Sequence, residues 1–223
     1  MTTQDTKKFY ENHSMELGFS DKKFKIIKEN IGKAETILDL GAYDGRIAKY
    51  IKSFHECDIE IADINENNLK KITDFKKYIF DFNDKKWPIT KKYDLVIFTD
   101  VIEHIFDVDQ FMLNINKITH KNSSILFSTP NIASLGRRLL LLRGKNPYIE
   151  ISKHKEINTF DNPVVGHIKY FTLENMKALC KFYGYEIDCI IPTSITGNIS
   201  IPFIEKIFPQ ICWHLWIKAK KIK

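Results

Sequence analysis

Four short apolar runs in this sequence end on a carboxylate or a small polar residue, a pattern that suits recognition of a nucleoside. Asp39 and Gly41 close the run Thr36-Ile-Leu-Asp-Leu40, and Asp63 closes the run at 59–62. Asp81 follows Tyr78-Ile-Phe80, and Thr99 and Asp100 end the run that begins at Tyr93. A glycine directly after a strand lets the backbone turn and approach a ligand. A carboxylate at the end of the next strand, 22 positions beyond Gly41, can accept both hydroxyls of a ribose. Any one of these acids is as readily a helix cap or a strand-end turn; their succession makes coincidence a poor account. His104 and His167 are the candidate bases, because imidazole titrates near neutral pH. A packed helix-end residue is the plainer role for His104. Asp100, Glu103 and His104 also place three potential metal ligands within five residues, with His167 or His154 as a fourth. Such an oxygen-rich set with one or two imidazoles suits Mg or Mn better than structural Zn.

The glycines decide which nucleoside. A dinucleotide fingerprint needs glycine at its first, third and sixth positions, where this chain has Gly41, Tyr43 and Arg46. No G-x-x-x-x-G-K phosphate loop occurs. Acids without a phosphate cradle fit a ligand that has a ribose and a positive centre but no phosphate, and S-adenosylmethionine is such a ligand.

The elements that must hold these residues follow from periodicity. Apolar runs alternate with helical faces: Ile47, Tyr50, Ile51 and Phe54 after the first run, then Leu69, Ile72 and Phe75 after the second. After the fourth, Asp107 with Gln110 resembles a capping box ahead of Val108, Phe111, Met112, Ile115 and Ile118. This alternation predicts βα units and a parallel sheet. A fifth strand is expected at 124–129, a helix capped by Thr172 and ended by Gly184, and two final strands at 186–191 and 213–220. Phe203, Ile207 and Phe208 suggest a short helix between Pro202 and Pro209. Residues 131–165 break the rhythm as an irregular stretch. We therefore expect seven strands in a single domain over 1–223, with an N-terminal helical segment at 1–34 and an inserted acceptor-side or lid segment at 131–165.

Composition narrows the class. At 43% hydrophobic and 28% charged residues the chain is an ordinary globular one rather than disordered or fibrous. A net charge of +6 permits an acidic partner, although a lysine-rich solvated surface explains it equally simply. The four cysteines form no C-x-x-C pair and read as buried free thiols of a reducing, cytoplasmic compartment. Residues 1–8 are polar, unlike a secretory signal, and no apolar run is long enough to span a membrane.

Ile37-Leu-Asp-Leu-Gly-Ala-Tyr-Asp-Gly45 resembles the first motif of class I S-adenosylmethionine-dependent methyltransferases. Tyr93-Asp-Leu-Val-Ile-Phe-Thr-Asp-Val-Ile-Glu-His104 resembles their fourth-strand motif. Gly166-His-Ile-Lys-Tyr-Phe-Thr172 is similar to the subset containing the ubiquinone-biosynthesis O-methyltransferases (methyltransferase types 11 and 23). The resemblance covers roughly residues 35–190. It implies a Rossmann-like, seven-stranded, mostly parallel α/β sheet with helices on both faces and an antiparallel last strand. It also implies that Asp39 and Gly41, Ala42, Tyr43 and Gly45 face the methionine part of the cofactor. Asp63 and Ile64 would hold the ribose, Asp81 and Phe82 would frame the adenine, and Thr99 would line the pocket near the sulfonium. Relatives with Glu-x-x-Glu-His in place of Asp100-x-x-Glu103-His104 depend on a metal; many others carry Glu-His without one.

Family members usually have glycine at Tyr43, so its side chain must cover the cofactor or point away from it. For the acceptor, Arg137, Arg138, Arg143 and Lys145 around the leucines at 139–142 suit either a lid or a segment meeting anionic lipid. The leading expectation is O- or N-methylation of a small or lipid-linked acceptor, such as a quinone precursor or a surface-glycan intermediate. Peripheral contact with the inner face of the membrane goes with it, and nucleic acid is not the expected partner. A non-catalytic nucleoside-binding scaffold and a metal-dependent RNA methyltransferase remain the alternatives.

Overall fold

The computed structural model describes residues 21–148, 151–152, 154–158, 166–195 and 199–222. Its centre is a seven-stranded sheet in the order β3-β2-β1-β4-β5-β7-β6. The strands are β1 (Thr36–Leu40), β2 (Asp58–Asp63), β3 (Lys76–Ile79), β4 (Tyr93–Thr99), β5 (Thr119–Pro130), β6 (Tyr185–Thr193) and β7 (His214–Lys221). The first five pair in parallel, and β7 runs antiparallel between β5 and β6.

Side chains alternate across the strands, which divides the apolar residues between two cores. Leu38, Leu40, Val96, Phe98, Ile125 and Phe127 face one side. There they meet Phe111, Met112 and Ile115 of α4 (Val108–Lys117) and Met176 and Cys180 of α6 (Leu173–Phe182). Ile37, Ile59, Ile61, Leu95, Ile97 and Trp216 face the other. They are covered by Ile26 and Ile27 of α1 (Asp21–Asn30), by Ile47, Ala48 and Ile51 of α2 (Arg46–Lys52), and by Leu69 of α3 (Glu66–Lys70). The strand reversal between β1 and β4 opens the carboxyl edge of the sheet, where an α/β fold binds its ligands.

Several expected details shift. β3 lies at Lys76–Ile79 rather than 78–80, because the Phe80 ring leaves the sheet to pack 5.2 Å from Phe82 and 5.4 Å from Trp87. β5 begins earlier, at Thr119, past an irregularity in its register with β4. Asp107 caps α4 through the Gln110 N–H, but the Gln110 side chain turns to Asn114, so the box is half made. Thr172 and Asn175 form a complete capping box on α6. The stretch read as irregular after β5 contains a helix, α5 (Leu135–Leu142). Its leucines give no clean amphipathic signal because only Leu140 of the four at 139–142 is buried. The short helix between the prolines is α7 (Pro202–Ile207).

All four cysteines are free; Cys57, Cys180 and Cys212 are buried and Cys189 is half-buried. No described helix is long and apolar enough to cross a membrane.

Candidate active site

The turn from β1 into α2 is built by glycine geometry. Gly41 and Gly45 have φ of 77° and 74°, where a β-carbon is strained. There is no room for one either: it would stand 2.5 Å from Val101 Cγ2 at Gly41 and 2.9 Å from Ile72 Cδ1 at Gly45. The N–H groups of Gly41 and Ala42 both donate to the Ala62 carbonyl, tying the turn to the end of β2. Tyr43 also has positive φ, 51°, in the position where glycine was expected. Its N–H donates to Asp63 at 2.8 Å, and its half-buried ring lies 5.7 Å from the Arg46 guanidinium, which pairs with Asp44.

Two buried acids sit side by side here with opposite surroundings. Asp63 accepts N–H bonds from Tyr43 and Asn65, both at 2.8 Å. Burial raises its pKa, and these N–H groups counter the rise. Asp39 is fully buried and neither of its carboxylate oxygens has a hydrogen-bond partner. Burial, then the negative charges of Asp63 and Asp44, push its pKa well above the carboxylate range. A buried, unpaired carboxylate is costly unless a cation or donor reaches it. Ile64 is half-buried beside Asp63. At the next strand end, Asp81 accepts two bonds from Asn83. Phe82 is buried in a ring cluster with Phe80, Trp87 and Phe111. Thr99 is half-buried at the end of β4.

Across the sheet reversal, Asp100 also has positive φ, 54°. Its carboxylate holds Lys23 of α1 at 2.6 Å, His214 of β7 at 2.5 Å and the Ser128 hydroxyl at 3.1 Å. Burial would raise this acid, but His214 and Lys23 outweigh it and hold it well below the usual range. Asp100 is thus occupied, and it does not stand with Glu103 and His104 as the candidate trio would need. His167 takes the place of Asp100. The segment after Gly166 is stitched down by the Ile168 and Lys169 N–H groups, which donate to the Glu103 carbonyl. Glu103, His104 and His167 consequently present ligand atoms within 4.8 Å of one another, and His154 is not among them. Glu103 is 1% exposed and neither oxygen makes a hydrogen bond, although His167 Nε2 stands 3.8 Å from Oε1; burial, then Asp100, raises its pKa well above normal. The Thr129 hydroxyl counters this rise without reversing it. His104 Nδ1 donates to the Gly166 carbonyl at 3.1 Å, which orients the ring.

The sequence reading did not find Lys23, His214 or Ser134, and it placed Arg137 on an exposed lid or lipid face rather than buried. His214 carried one usable signal: the first residue of an antiparallel last strand must lie at the ligand edge. Lys23 carried none.

A family model described as "Methyltransferase domain" matches residues 13–190. No curated protein matches the chain. Among solved structures, a SAM-dependent methyltransferase from Archaeoglobus fulgidus superposes with a TM-score of 0.60 at 18% identity, over 99% of this chain and 95% of that one. The N-methyltransferase NodS from Bradyrhizobium japonicum, in complex with S-adenosyl-L-homocysteine, gives 0.61 at 10% identity over 100% of both chains. The [4+2]-cyclase SpnF gives 0.62 at 9%, over 91% of this chain and 80% of that one. Likenesses at such identities establish the fold, a Rossmann-like methyltransferase fold. The family model goes further: the chain belongs to the methyltransferase-domain family.

Proposed function

We propose that this enzyme moves the methyl group of S-adenosylmethionine to an oxygen or nitrogen of a small or lipid-linked acceptor, such as a quinone precursor or a surface-glycan intermediate. The carrying observation is Asp39, a buried carboxylate with no partner, beside Asp63 at the carboxyl edge of β1 and β2. The cofactor's cationic groups and ribose hydroxyls suit that pair of acids, and its sulfonium supplies an activated methyl carbon. Asp39 and the backbone of Gly41, Ala42, Tyr43 and Gly45 would hold the methionine end, and Asp63 with Ile64 the ribose. Asp81 and Phe82 would border the adenine, and Thr99 the sulfur. NodS, of the same fold, binds the demethylated cofactor, which supports this assignment.

Alignment is the chief work of the protein in such a displacement, worth up to roughly 7–11 kcal/mol. His104, with His167 5.0 Å away between ring centres, would take the proton of an acceptor hydroxyl or amine. Leu141 and Leu142, 64% and 82% exposed, with Arg138, Arg143 and Lys145 nearby, suit contact with an anionic lipid surface. SpnF shows why activity needs its own test, since that fold also serves a cyclase. Incubation with methyl-labelled cofactor and cell extract should place label in the small-molecule or lipid fraction. Label confined to protein, or none, would contradict the reading. Liposome flotation tests the lipid part: partitioning that survives Arg138→Gln with Leu142→Gln removes it.

The buried Glu103, whose oxygens make no hydrogen bond, favours one second reading, transfer assisted by Mg or Mn held by Glu103, His104 and His167. Such an ion would lower the pKa of an acceptor hydroxyl. In this case chelator and Glu103→Gln both abolish transfer, and label in RNA would assign the acceptor. Transfer indifferent to both treatments removes the metal.

A further inference from the structure

Beyond β5 the chain makes a tight turn and enters α5, and the cations of this turn are poorly balanced. Arg137 is 7% exposed, yet no described carboxylate pairs with it. It lies 4.1 Å from the Trp213 ring, and burial lowers its pKa to about 10, so it stays charged at neutral pH. Both of its hydrogen bonds, to the Asn131 and Trp213 carbonyls, go through Nη1. The Nε and Nη2 edge, which suits two-point binding of a carboxylate or phosphate, makes no hydrogen bond to the described residues, although Tyr170 lies close enough to interact with the guanidinium. A guanidinium needed only to clamp two carbonyls has no use for that edge.

Ser134 adds an independent observation. It is the N-cap of α5, but its hydroxyl makes no capping bond, is fully buried and has no partner at all. An N-cap oxygen normally accepts a first-turn N–H. Here the first turn, Leu135, Gly136 and Arg137, keeps the N–H groups that a helix leaves without intrahelical acceptors. A helix N-terminus favours a negative charge in any case, and Arg137 reaches back over it. The turn also belongs to the acceptor side. The Asn131 N–H donates to the Trp213 carbonyl, and the next residue, His214, holds Asp100 at the end of β4. Ile132 is bonded to Phe171 at the end of the segment that carries His167.

We propose that the N-terminal turn of α5, with Ser134 and Arg137, binds a carboxylate or phosphate carried by the methyl acceptor. The proposal rests on the methyltransferase reading and narrows its substrate to an anionic acceptor. Lipid-linked glycan intermediates and aromatic acids both carry such groups.

The test titrates benzoate, phenyl phosphate and neutral phenol into the protein with and without S-adenosylhomocysteine, by calorimetry and thermal shift. One or both anions should bind saturably and phenol should not; the tighter anion identifies the group. Arg137→Gln should weaken that binding about tenfold and Ser134→Ala about threefold. Lys181→Gln, which removes the same charge from an exposed position outside the site, should leave it unchanged. Equal effects of Arg137→Gln and Lys181→Gln, or no anion binding, would overturn the proposal. Binding of S-adenosylhomocysteine, read in the same series, reports separately on the methyltransferase reading. If Arg137→Gln does not fold, the Arg137 Nε–H signal of the wild-type protein decides. It should move with the anion and not with phenol, and a stationary signal refutes the site.

Discussion

The two halves of the carboxyl edge hold their acids in different ways. On the β1–β2 side, Asp63 is held by N–H groups of Tyr43 and Asn65, 20 and 2 positions away in sequence. On the β4–β5–β7 side, Asp100 is held by Lys23 and His214, 77 and 114 positions away. Each half also keeps one buried carboxylate that makes no hydrogen bond, Asp39 on the first and Glu103, with His167 3.8 Å away, on the second. The β1–β2 half is a local loop whose geometry depends on two glycines. The other half is assembled from α1, β4, β5, α5 and β7, so under the proposed function its chemistry can change without disturbing the cofactor side.

That contrast can be broken by substitution. Asp63→Ala should have the largest effect, weakening S-adenosylhomocysteine about a hundredfold while folding is retained, since hydrogen bonds to a charged group contribute roughly 1.5–3 kcal/mol each. Unchanged affinity by calorimetry would move the ribose away from β2. Asp100→Asn should act on stability instead, costing about 2 kcal/mol near neutral pH by chemical denaturation. Because the folded pKa of Asp100 lies below its ordinary 3.8, its contribution is present above that value and is lost as pH falls through the folded value. Wild type and variant should therefore converge in acid; a constant gap would mean that the ion pairs are not its source.

Glu103→Gln should work in the opposite direction. The folded pKa is raised, so the wild-type acid contributes most below its ordinary 4.5 and its contribution is lost as pH rises towards the folded value. The variant should gain about 1 kcal/mol over wild type at pH 8 without ligand, and should lose any stabilisation by Mg or Mn. A variant less stable at pH 8 would show that the carboxylate is already satisfied. Tyr43→Gly should have the smallest effect, with left-handed strain relieved by about 1 kcal/mol. A fall in melting temperature would mean that the ring's packing against Arg46 outweighs that strain.

The same contrast explains what the sequence disclosed. Short apolar runs closed by Asp39, Asp63 and Thr99 place the strand ends, because strand and loop are set by neighbouring residues. Gly41 and Gly45 are visible because their backbone angles strain any residue with a β-carbon and a β-carbon there would crowd Val101 and Ile72. The partners of Asp100 are invisible for the converse reason: no local pattern links Lys23 or His214 to it. The helix α5 was hidden because Arg137 is buried while Leu141 and Leu142 are exposed, inverting the usual periodicity. His167 was legible as a histidine near the acceptor side. Its meeting with Glu103 depends on the backbone bonds of Ile168 and Lys169 to the Glu103 carbonyl.

The central claim is that the unpaired Asp39 belongs to a cationic cofactor. Calorimetric titration of S-adenosylhomocysteine, which keeps the cofactor's ammonium, into wild type and Asp39→Asn tests it most directly. The account predicts single-site binding to wild type and about tenfold weaker binding to the variant, roughly the 1.4 kcal/mol of one modest charge contact. The ligand-free variant should also melt higher at pH 8, because a buried ionisable group has been removed. Equal affinity in the two proteins, or no binding to folded wild type, would contradict it.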